Sequence, residues 1–525
     1  MSLVDWLWLA VALLLSLALR IPFFAIPMLH DEGGYAYATR GWVHGTGNLY
    51  EDLWISRPQG IFFVYAGIFD LFGTGTVAFR FAAWIAIALT TVAIWGFTRL
   101  RWSPGAATLS ALLFAVMSSL PNLEGYSANA EMFMGFPVAL AMLWLLHTCR
   151  SGWPQWQLLG IGLLIGCAIS LKPSAATMAP VALLFIVLVT DPAGLRARLV
   201  RCGWLLAGIT IIGIASLIHG WYLGWTDFIY ATITYRLSAQ SAATVGLDHN
   251  LSAIVNLVWN VRLLIALIVL LLVLRHRTRL LELARAMRRL PARAAYRAAN
   301  DQPNNVTVVA PFRWKAIDDG RFLLNLWLIG SLLGTSIGGD WWSHYLIPVV
   351  APLSIWLGTT LAAVWVTLTR WPRVALAVAA LALLLQPFYI IAYGSPERIG
   401  DALHEHPGYP AQAEVAAWLR EHVEPGTTIY VAFDQASIYY LANLPPAYRH
   451  LYDQELRGIP SSYSDLIAII RSADRPKYIV STRQPGPFAD DSRAFWQEVG
   501  QYYEVVVTID GVPIYQDKAT IEASG

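Results

Sequence analysis

Long apolar stretches separated by short polar connections dominate the chain up to about residue 394. A helix needs about 20 apolar residues to cross a bilayer, and by this rule we predict roughly eleven membrane-spanning helices. The predicted spans lie near residues 3–22, 76–98, 104–120, 129–148, 157–171, 174–190, 203–222, 252–274, 321–338, 345–369 and 373–393. The apolar stretch 61–73 is too short to span before Gly73, so we expect a helix along the membrane surface there.

After Gly394 the composition becomes that of an ordinary soluble domain. Its predicted elements are a helix over 411–422, strands over 428–433 and 478–481, and a hairpin over 503–508 and 512–515 around Asp510-Gly511. We therefore predict two domains: a polytopic α-helical membrane domain over 1–394, and a small α/β domain outside the membrane over 395–525.

The composition supports a membrane protein, because 57% of the 525 residues are hydrophobic and only 13% are charged. Soluble domains carry about a quarter charged residues. A net charge of +2 does not indicate a nucleic-acid partner. The three cysteines lie within apolar segments or at their cytoplasmic ends, which predicts neither a disulfide framework nor a structural zinc site. The first apolar stretch lacks a small-residue cleavage site, so we expect a retained helix rather than a signal peptide.

The positions of Lys and Arg predict the orientation, because these residues concentrate in cytoplasmic loops. With the N-terminus inside, all the basic clusters of the membrane domain fall on the cytoplasmic side. These clusters are Arg99/Arg101, Arg150, Arg196/Arg198/Arg201, the stretch 275–297, and Arg370/Arg373. The first outer loop is then 23–75, and the C-terminal domain lies outside. For the basic loop 275–320 we expect an amphipathic helix on anionic headgroups, with a specific binding role as the alternative.

Polar side chains gather at the predicted outer ends of distant spans, although such groups are costly near a membrane. They are Asp31, Glu32 and Arg57; Glu124, Asn129 and Glu131; Lys172; His219 and Asp227; and Asp340, His344 and Tyr345. This set could form an outward-facing active site, with cations for an anionic group and a carboxylate for a proton.

Asp31 and Glu32 are the most notable pair, and the alternative for them is a solvated pair of acids beside a helix. Neighbours in sequence point in different directions on a helix, so at most one is expected to reach a substrate, and the other to brace the loop. Gly33-Gly34 predicts a flexible approach to a helix that begins near Tyr35.

Each of the other candidates also has a simpler interpretation. Arg57 and Lys172 suit a phosphate, but both could anchor to lipid headgroups. Glu131 could simply favour a helix start, and His219 could be a structural hydrogen-bonding residue. For His344, next to Tyr345 at the start of a span, hydrogen bonding towards a cavity is the favoured interpretation.

The order of these pieces resembles the GT-C superfamily of membrane glycosyltransferases, in the branch with protein O-mannosyltransferases and the lipid A aminoarabinose transferase. The resemblance covers about the first 400 residues. It rests on Asp31-Glu32 with Tyr35, Arg57-Pro58-Gln59-Gly60, Arg80-Phe81, Asn129-Ala130-Glu131-Met132-Phe133, and the stretch 339–345 that ends in His344-Tyr345. Arg57 replaces the usual Lys of the family, and Gln59 the second Pro.

The resemblance implies an inverting transfer from a polyprenyl-phosphate sugar donor, on the outer face, to an envelope lipid, polysaccharide or protein. It implies a catalytic group of Asp31, Glu32 and Glu131, with Asp31 as the base, and a donor phosphate held by Arg57 and Lys172. The implied substrate-binding residues are Tyr35, Asn129, His219, Asp340, His344 and Tyr345.

Ser56 stands where the aminoarabinose branch has a metal-holding Glu. No cofactor is therefore assigned, and a divalent metal stays an open alternative. The expected setting is a bacterial inner membrane, with membrane lipids as neighbours. The alternatives are a flippase for lipid-linked sugars and a non-catalytic scaffold. A flippase would need polar midplane residues and repeated broken helices, which we do not find.

Overall fold

A computed structural model describes residues 2–189, 194–242, 247–277, 280, 319–337, 341–404, 408–433, 435–482 and 490–524. Helices make up most of the described part of the membrane domain. They are α1 (Leu3–Arg20), α2 (His30–Val43), α3 (Gly60–Phe72), α4 (Thr76–Arg101), α5 (Pro104–Met117), α6 (Ala130–Arg150), α7 (Gln155–Leu171), α8 (Met178–Leu188), α9 (Leu195–Ile229), α10 (Tyr235–Ala242), α11 (Leu247–Asn260), α12 (Arg262–Arg277), α13 (Asp319–Ser336), α14 (Ile347–Trp365) and α15 (Arg370–Leu385).

In the described ranges, six helical stretches are long and apolar enough to cross a membrane. They are Leu3–Phe23, Thr76–Arg101, Ala130–Arg150, Leu195–Ser238, Ser343–Trp365 and Arg370–Tyr393. A further pair, Ile254–Asn260 with Arg262–Arg277, is bent by 70° and could form one more span. Each predicted span overlaps a helix, which confirms the polytopic helical fold. Most of the basic loop 275–320 lies outside the described residues.

Helix α3 corresponds to the short apolar stretch of the first outer loop. Its 13 residues are too few for a full crossing. One face, with Ile61, Phe62, Tyr65 and Ile68, is buried in the main core at the helical spacing of three and four residues. The helix ends at Gly73, whose φ of 97° favours glycine.

The C-terminal domain has a four-stranded sheet with helices, as the sequence predicts. Its elements are α16 (Pro396–Leu403), α17 (Gln412–His422), β1 (Ile429–Val431), α18 (Ser437–Ala442), α19 (Asp453–Gly458), α20 (Ser462–Arg471), β2 (Tyr478–Val480), α21 (Asp490–Tyr502), β3 (Tyr503–Ile509), β4 (Val512–Asp517) and α22 (Lys518–Ser524). The strand order is β1-β2-β4-β3, with β1 and β2 parallel and the other pairs antiparallel. The expected hairpin is confirmed: Ile509 pairs with Val512 around the two-residue Asp510-Gly511 turn.

The C-terminal domain, called the outer domain after its predicted side of the membrane, sits directly on the loop 23–75, which is called the first outer loop for the same reason. The Tyr409 hydroxyl donates to the Pro27 carbonyl at 2.7 Å, and the Gln412 amide donates to the Met28 carbonyl at 3.1 Å. Side chains of the outer domain, such as Tyr440, belong to the same buried core as the membrane helices. The two domains therefore share one packed interface.

The glycines Gly33 and Gly34 lie inside helix α2, which begins at His30, so the expected flexible approach to a later helix start is wrong. Both are buried where the outer domain meets α2. A Cβ on Gly33 would lie 2.5 Å from the backbone nitrogen of Ser437. Glycine is therefore used here for a close approach between backbones.

We expect Gly33→Ala to push the outer domain away from α2. Such overpacking costs about 1–3 kcal/mol in the free energy of unfolding. Thermal unfolding in detergent measures the loss, and limited proteolysis reports exposure of the domain interface. The matched control is Gly67→Ala on α3, where a Cβ meets nothing within 4 Å. Equal stability of the two variants would contradict the proposed close approach.

Candidate active site

The first turn of α2 carries two neighbouring carboxylates that point to different partners. The helix N-terminus favours negative charge, which suits acids at this place. Asp31 faces Arg57, with 3.5 Å between its Oδ2 and the guanidinium, and their side chains are 25% and 16% exposed. Glu32 instead faces Arg80, and neither side chain has any exposed surface. Of the two acids, Asp31 is the one that a substrate can reach.

Glu32 is enclosed by donors on every side. Arg80 donates to both of its carboxylate oxygens, at 3.1 and 2.8 Å. The backbone N–H groups of Leu29 and Ala128 donate at 2.9 and 2.7 Å. Arg80 also donates to the carbonyl of Phe23 at 2.6 Å. The pair joins the first outer loop to α4 and to the start of α6, which suits a structural support.

Arg57 and Arg236 form a pair of like charges. Both guanidinium groups donate to one acceptor, the carbonyl oxygen of Ser56, at 3.1 Å from Arg57. The Tyr35 hydroxyl accepts from Arg57 Nε at 2.9 Å. The sequence analysis missed Arg236, although it is the only Lys or Arg between Arg201 and Arg262. A single arginine at the predicted outer end of a long apolar stretch was the feature of the sequence that could have identified Arg236.

Glu131 and Lys172 form a second ion pair, which joins the start of α6 to the end of α7. The Lys172 ammonium lies 4.0 Å from the centre of the Tyr345 ring, a favourable cation–π distance. Lys172 also interacts electrostatically with Arg57 and Asp31. The Glu131–Lys172 pair therefore lies next to Asp31 and Arg57. The charge of Lys172 is already balanced by Glu131.

His344 bridges two acids at the start of α14. Its Nδ1 lies 3.0 Å from Glu124, and its Nε2 lies 3.8 Å from Glu131. Asn129 donates to Glu124 at 3.4 Å. Two buried acceptors, Glu131 Oε2 and Asn129 Oδ1, have no hydrogen-bond partner in the described part of the chain. Buried acceptors are normally paired, so these two atoms suit donors from a bound molecule.

The charges around Asp31 keep its carboxyl ionised. Burial by itself would raise the pKa of Asp31. The fields of Arg57, His344 and Lys172 outweigh burial and lower this pKa below its ordinary value. The carboxylate can therefore accept a hydrogen bond or a proton at neutral pH.

Two predicted residues, His219 and Asp340, cannot be counted in this cluster. His219 packs against the rings of Trp42 and Phe63, with centroids 5.8 and 5.1 Å away, which suits a structural role. Asp340 lies outside the described residues. Glu32 is enclosed with Arg80, as described above. The other eight predicted residues converge: Asp31, Tyr35, Arg57, Asn129, Glu131, Lys172, His344 and Tyr345.

Nothing in the described ranges forms a group of three or more His, Cys, Asp or Glu side chains suited to a metal ion. Ser56, where the aminoarabinose branch has a metal-holding Glu, donates its hydroxyl to the Ala231 carbonyl at 2.8 Å. The residues here do not fit a metal of that type.

Comparison with known proteins adds a sequence match and a structural match. Residues 56–221 match the sequence model of the family described as dolichyl-phosphate-mannose-protein mannosyltransferase. The fold matches the crystal structure of ArnT from Cupriavidus metallidurans bound to undecaprenyl phosphate, with a TM-score of 0.60 and 15% identity. The match covers 99% of each chain. The protein has the GT-C fold, which confirms the fold that the sequence resemblance predicts.

A second GT-C structure supports the assignment. AglB, the archaeal oligosaccharyltransferase from Archaeoglobus fulgidus, was solved with an inhibitory peptide and a dolichol-phosphate. It matches with a TM-score of 0.52 and 13% identity, over 91% of this chain and 69% of the AglB chain. No curated protein sequence matches the chain.

Proposed function

We propose that this GT-C protein is an inverting glycosyltransferase that uses a polyprenyl-phosphate sugar as donor. The acceptor is an envelope lipid, polysaccharide or protein, and transfer occurs at the outer face of the membrane. The observation that carries the proposal is the Arg57–Arg236 pair on the Ser56 carbonyl. Two guanidinium groups held together repel each other, and an anion between them removes that cost.

The phosphate of the donor is the anion that fits this pair. Guanidinium groups match phosphate oxygens with two parallel hydrogen bonds each. Because the bond between the sugar and the phosphate breaks during transfer, negative charge grows on the phosphate. Fixed cations that are already in place stabilise this charge without reorganisation.

Asp31 is the base in this proposal. An acceptor hydroxyl attacks the anomeric carbon from the side opposite the phosphate, the carbon–oxygen bond to phosphate breaks, and the hydroxyl proton goes to Asp31. Arg57 contacts Asp31 and, in this proposal, also the donor phosphate. A bound phosphate therefore offsets part of the positive field that Arg57 exerts at Asp31. The bound donor therefore makes Asp31 a stronger base when a proton has to be taken.

The unpartnered atoms Glu131 Oε2 and Asn129 Oδ1 support a hydroxyl-rich substrate. Sugar hydroxyls are donors that can satisfy such buried acceptors. Lys172 and His344 both approach the other carboxylate oxygen of Glu131, Oε1, which leaves Oε2 for a ligand. Their proposed role is to orient a sugar or acceptor hydroxyl.

The outer face is proposed from the distribution of charge. Arg101 and Arg150 both pair with Asp319, at 3.4 and 3.3 Å, which places these basic residues together at one end of the bundle. Asp31 and Arg57 lie in the loop that follows the C-terminal end of α1, at the opposite end of the bundle. Since basic residues favour the cytoplasmic side, the site faces outwards and the N-terminus lies inside. A bacterial inner membrane suits this arrangement.

The two solved relatives support the class of donor. ArnT carries undecaprenyl phosphate and AglB carries dolichol-phosphate, and both ligands are polyprenyl phosphates. A donor of the same class would place its phosphate at the membrane surface, where Arg57 and Arg236 lie.

Arg57→Ala and Arg236→Ala are each expected to weaken binding of undecaprenyl phosphate. A hydrogen bond to a charged group contributes about 1.5–3 kcal/mol, which corresponds to roughly tenfold to a hundredfold in affinity. Binding to the purified chain in detergent measures the effect. The matched control is Arg398→Ala, which removes an exposed arginine of the outer domain. Unchanged affinity in both site variants would refute the phosphate site.

A further inference from the structure

Glu124 lies at the edge of the candidate active site and is neither the proposed base nor a proposed phosphate ligand. It belongs to the loop between α5 and α6, and its backbone has a φ of 52° and a ψ of 33°. This left-handed conformation is uncommon for a residue other than glycine, asparagine or aspartate. Strained backbone of this kind clusters at functional positions. The side chain that it positions is 26% exposed and contacts His344 and Asn129.

The loop that carries Glu124 is held in place by a buried arginine. Arg20 is 2% exposed, and it donates to the carbonyl of Gly125 at 3.0 Å and to the carbonyl of Ser118 at 2.5 Å. Gly125 leaves no room for a side chain, because a Cβ there would clash with the carbonyl of Ser118. The backbone is therefore fixed on both sides of Glu124.

Glu124 determines which atom of the Asn129 amide is free. The amide donates from Nδ2 to Glu124 Oε2, with 3.4 Å between the two atoms. An ionised carboxylate only accepts hydrogen bonds, so the amide nitrogen faces it and the amide oxygen is left over. Burial by itself would raise the pKa of Glu124. The charge of His344, whose Nδ1 lies 3.0 Å away, outweighs burial and lowers this pKa below its ordinary value, which keeps the carboxyl ionised.

Glu131 presents a second atom of the same kind. Lys172 pairs with its Oε1, and His344 Nε2 lies 3.8 Å from the same oxygen. In the described ranges neither Glu131 Oε2 nor Asn129 Oδ1 has a hydrogen-bond partner. The two residues are only 2% and 1% exposed. Both unpartnered atoms are acceptors, and buried acceptors are normally paired.

We propose that Glu124 is a positioning residue that fixes the orientation of the Asn129 amide, so that Asn129 and Glu131 form a subsite that accepts two hydroxyl hydrogens of a sugar. The inference rests on the proposed function, because it takes a substrate of sugar transfer as the ligand. The same chemistry recognises the sugar of a lipid-linked donor and the sugar of a glycan acceptor.

The subsite is expected to select sugars by the direction of the hydrogen bond. A hydroxyl can donate to either acceptor, whereas fluorine on the same carbon can only accept and hydrogen can do neither. An analogue that cannot donate leaves a buried acceptor unpaired, which lowers affinity. A subsite that contains only acceptors therefore rejects deoxyfluoro and deoxy sugars equally.

The test uses the full chain in detergent and farnesyl methyl phosphate as the reference without a sugar. One arm compares this reference with the farnesyl phosphodiesters of glucose, mannose, galactose and arabinose. The other arm adds the methyl glycosides of these sugars to the farnesyl methyl phosphate complex. Tighter binding in the first arm assigns the hydroxyls to the donor, and binding in the second assigns them to the acceptor. For the sugar that binds, each hydroxyl is then replaced in turn by fluorine and by hydrogen.

In the wild type, fluorine and hydrogen at the two recognised positions are expected to lower affinity by equal factors, about tenfold at each position. This comparison needs no variant. In Glu124→Ala the Asn129 amide is free to turn its nitrogen towards the ligand. Fluorine at that position is then expected to bind about twofold more tightly than hydrogen, the effect of a weak hydrogen bond. The position at Glu131 is expected to keep equal factors, because both oxygens of a carboxylate accept.

A double variant separates orientation of the amide from a general structural loss. Glu124→Ala with Asn129→Asp keeps the number of acids and places at 129 a side chain that only accepts in any rotamer, so equal factors are expected to return. Glu421→Ala, on an exposed position of α17, is the matched control and is expected to keep the wild-type pattern.

Three results would overturn the subsite. They are fluorine tolerance in the wild type, equal factors at both positions in Glu124→Ala, and no sugar probe that binds in either arm. Failure of farnesyl methyl phosphate itself to bind would instead overturn the phosphate site of the proposed function.

Discussion

Asp31→Asn is expected to lower sugar transfer by about 10²- to 10⁴-fold while leaving donor binding near the wild-type value, because a positioned base contributes on this order to the rate. Asparagine has nearly the shape of aspartate but cannot accept the hydroxyl proton. The Arg57–Arg236 pair is retained in the variant, so the phosphate site keeps its cations. The measurement is release of undecaprenyl phosphate from a labelled undecaprenyl-phosphate sugar, in membranes that contain the native acceptors.

Asp70→Asn is the matched control for this substitution. Asp70 lies on an exposed position of α3 and has no place in the cluster. Its replacement is expected to leave both transfer and binding unchanged. Full transfer by the Asp31→Asn variant would refute Asp31 as the base and would direct attention to Glu131.

Glu32→Gln is expected to destabilise the protein strongly and to act on activity only through this loss. Removing one partner of a buried ion pair costs about 3–5 kcal/mol, because the remaining charge stays buried without a counter-charge. Here the remaining charge is Arg80, whose side chain has no exposed surface. Thermal unfolding in detergent measures the effect.

Two further variants show whether the pair explains the loss. Glu51→Gln changes an exposed acid of the same loop and is expected to keep wild-type stability. The double variant Glu32→Gln with Arg80→Met is expected to recover part of the lost stability, because no charge is left buried. If Glu32→Gln instead folded with wild-type stability and lost transfer, Glu32 would have a direct catalytic role.

The predicted helices and the terminal hairpin show what a local pattern can predict. The apolar stretches coincide with helices because the length and hydropathy of a segment are enough to decide its preference for a membrane. The turn at Asp510-Gly511 is equally local, since two residues determine its geometry. The start of α2 was predicted too late, because the two glycines favour a break and only the packed outer domain makes a helix with glycines stable there.

The site was predicted in part, and the cationic residue that was missed shows why. Asp31 and Arg57 stand about 25 residues apart in one polar loop, so their proximity could be inferred. Arg236 comes from a segment far along the chain, and only the packing of α10 against the first loop brings it to Arg57. His219 is the opposite case. It was predicted in the site because it lies near the outer end of a span, but it packs against aromatic rings and not with the acids.

The sequence by itself determined that this is a helical membrane protein with a small C-terminal α/β region, because hydrophobic length and periodicity are properties of single segments. It also determined that two adjacent acids of α2 must diverge, since helix geometry separates neighbouring side chains. Only the tertiary structure decided which acid stays accessible. Arg80 encloses Glu32, whereas Arg57 and the outer domain leave Asp31 in reach of a substrate. That choice depends on contacts between helices that no local pattern specifies.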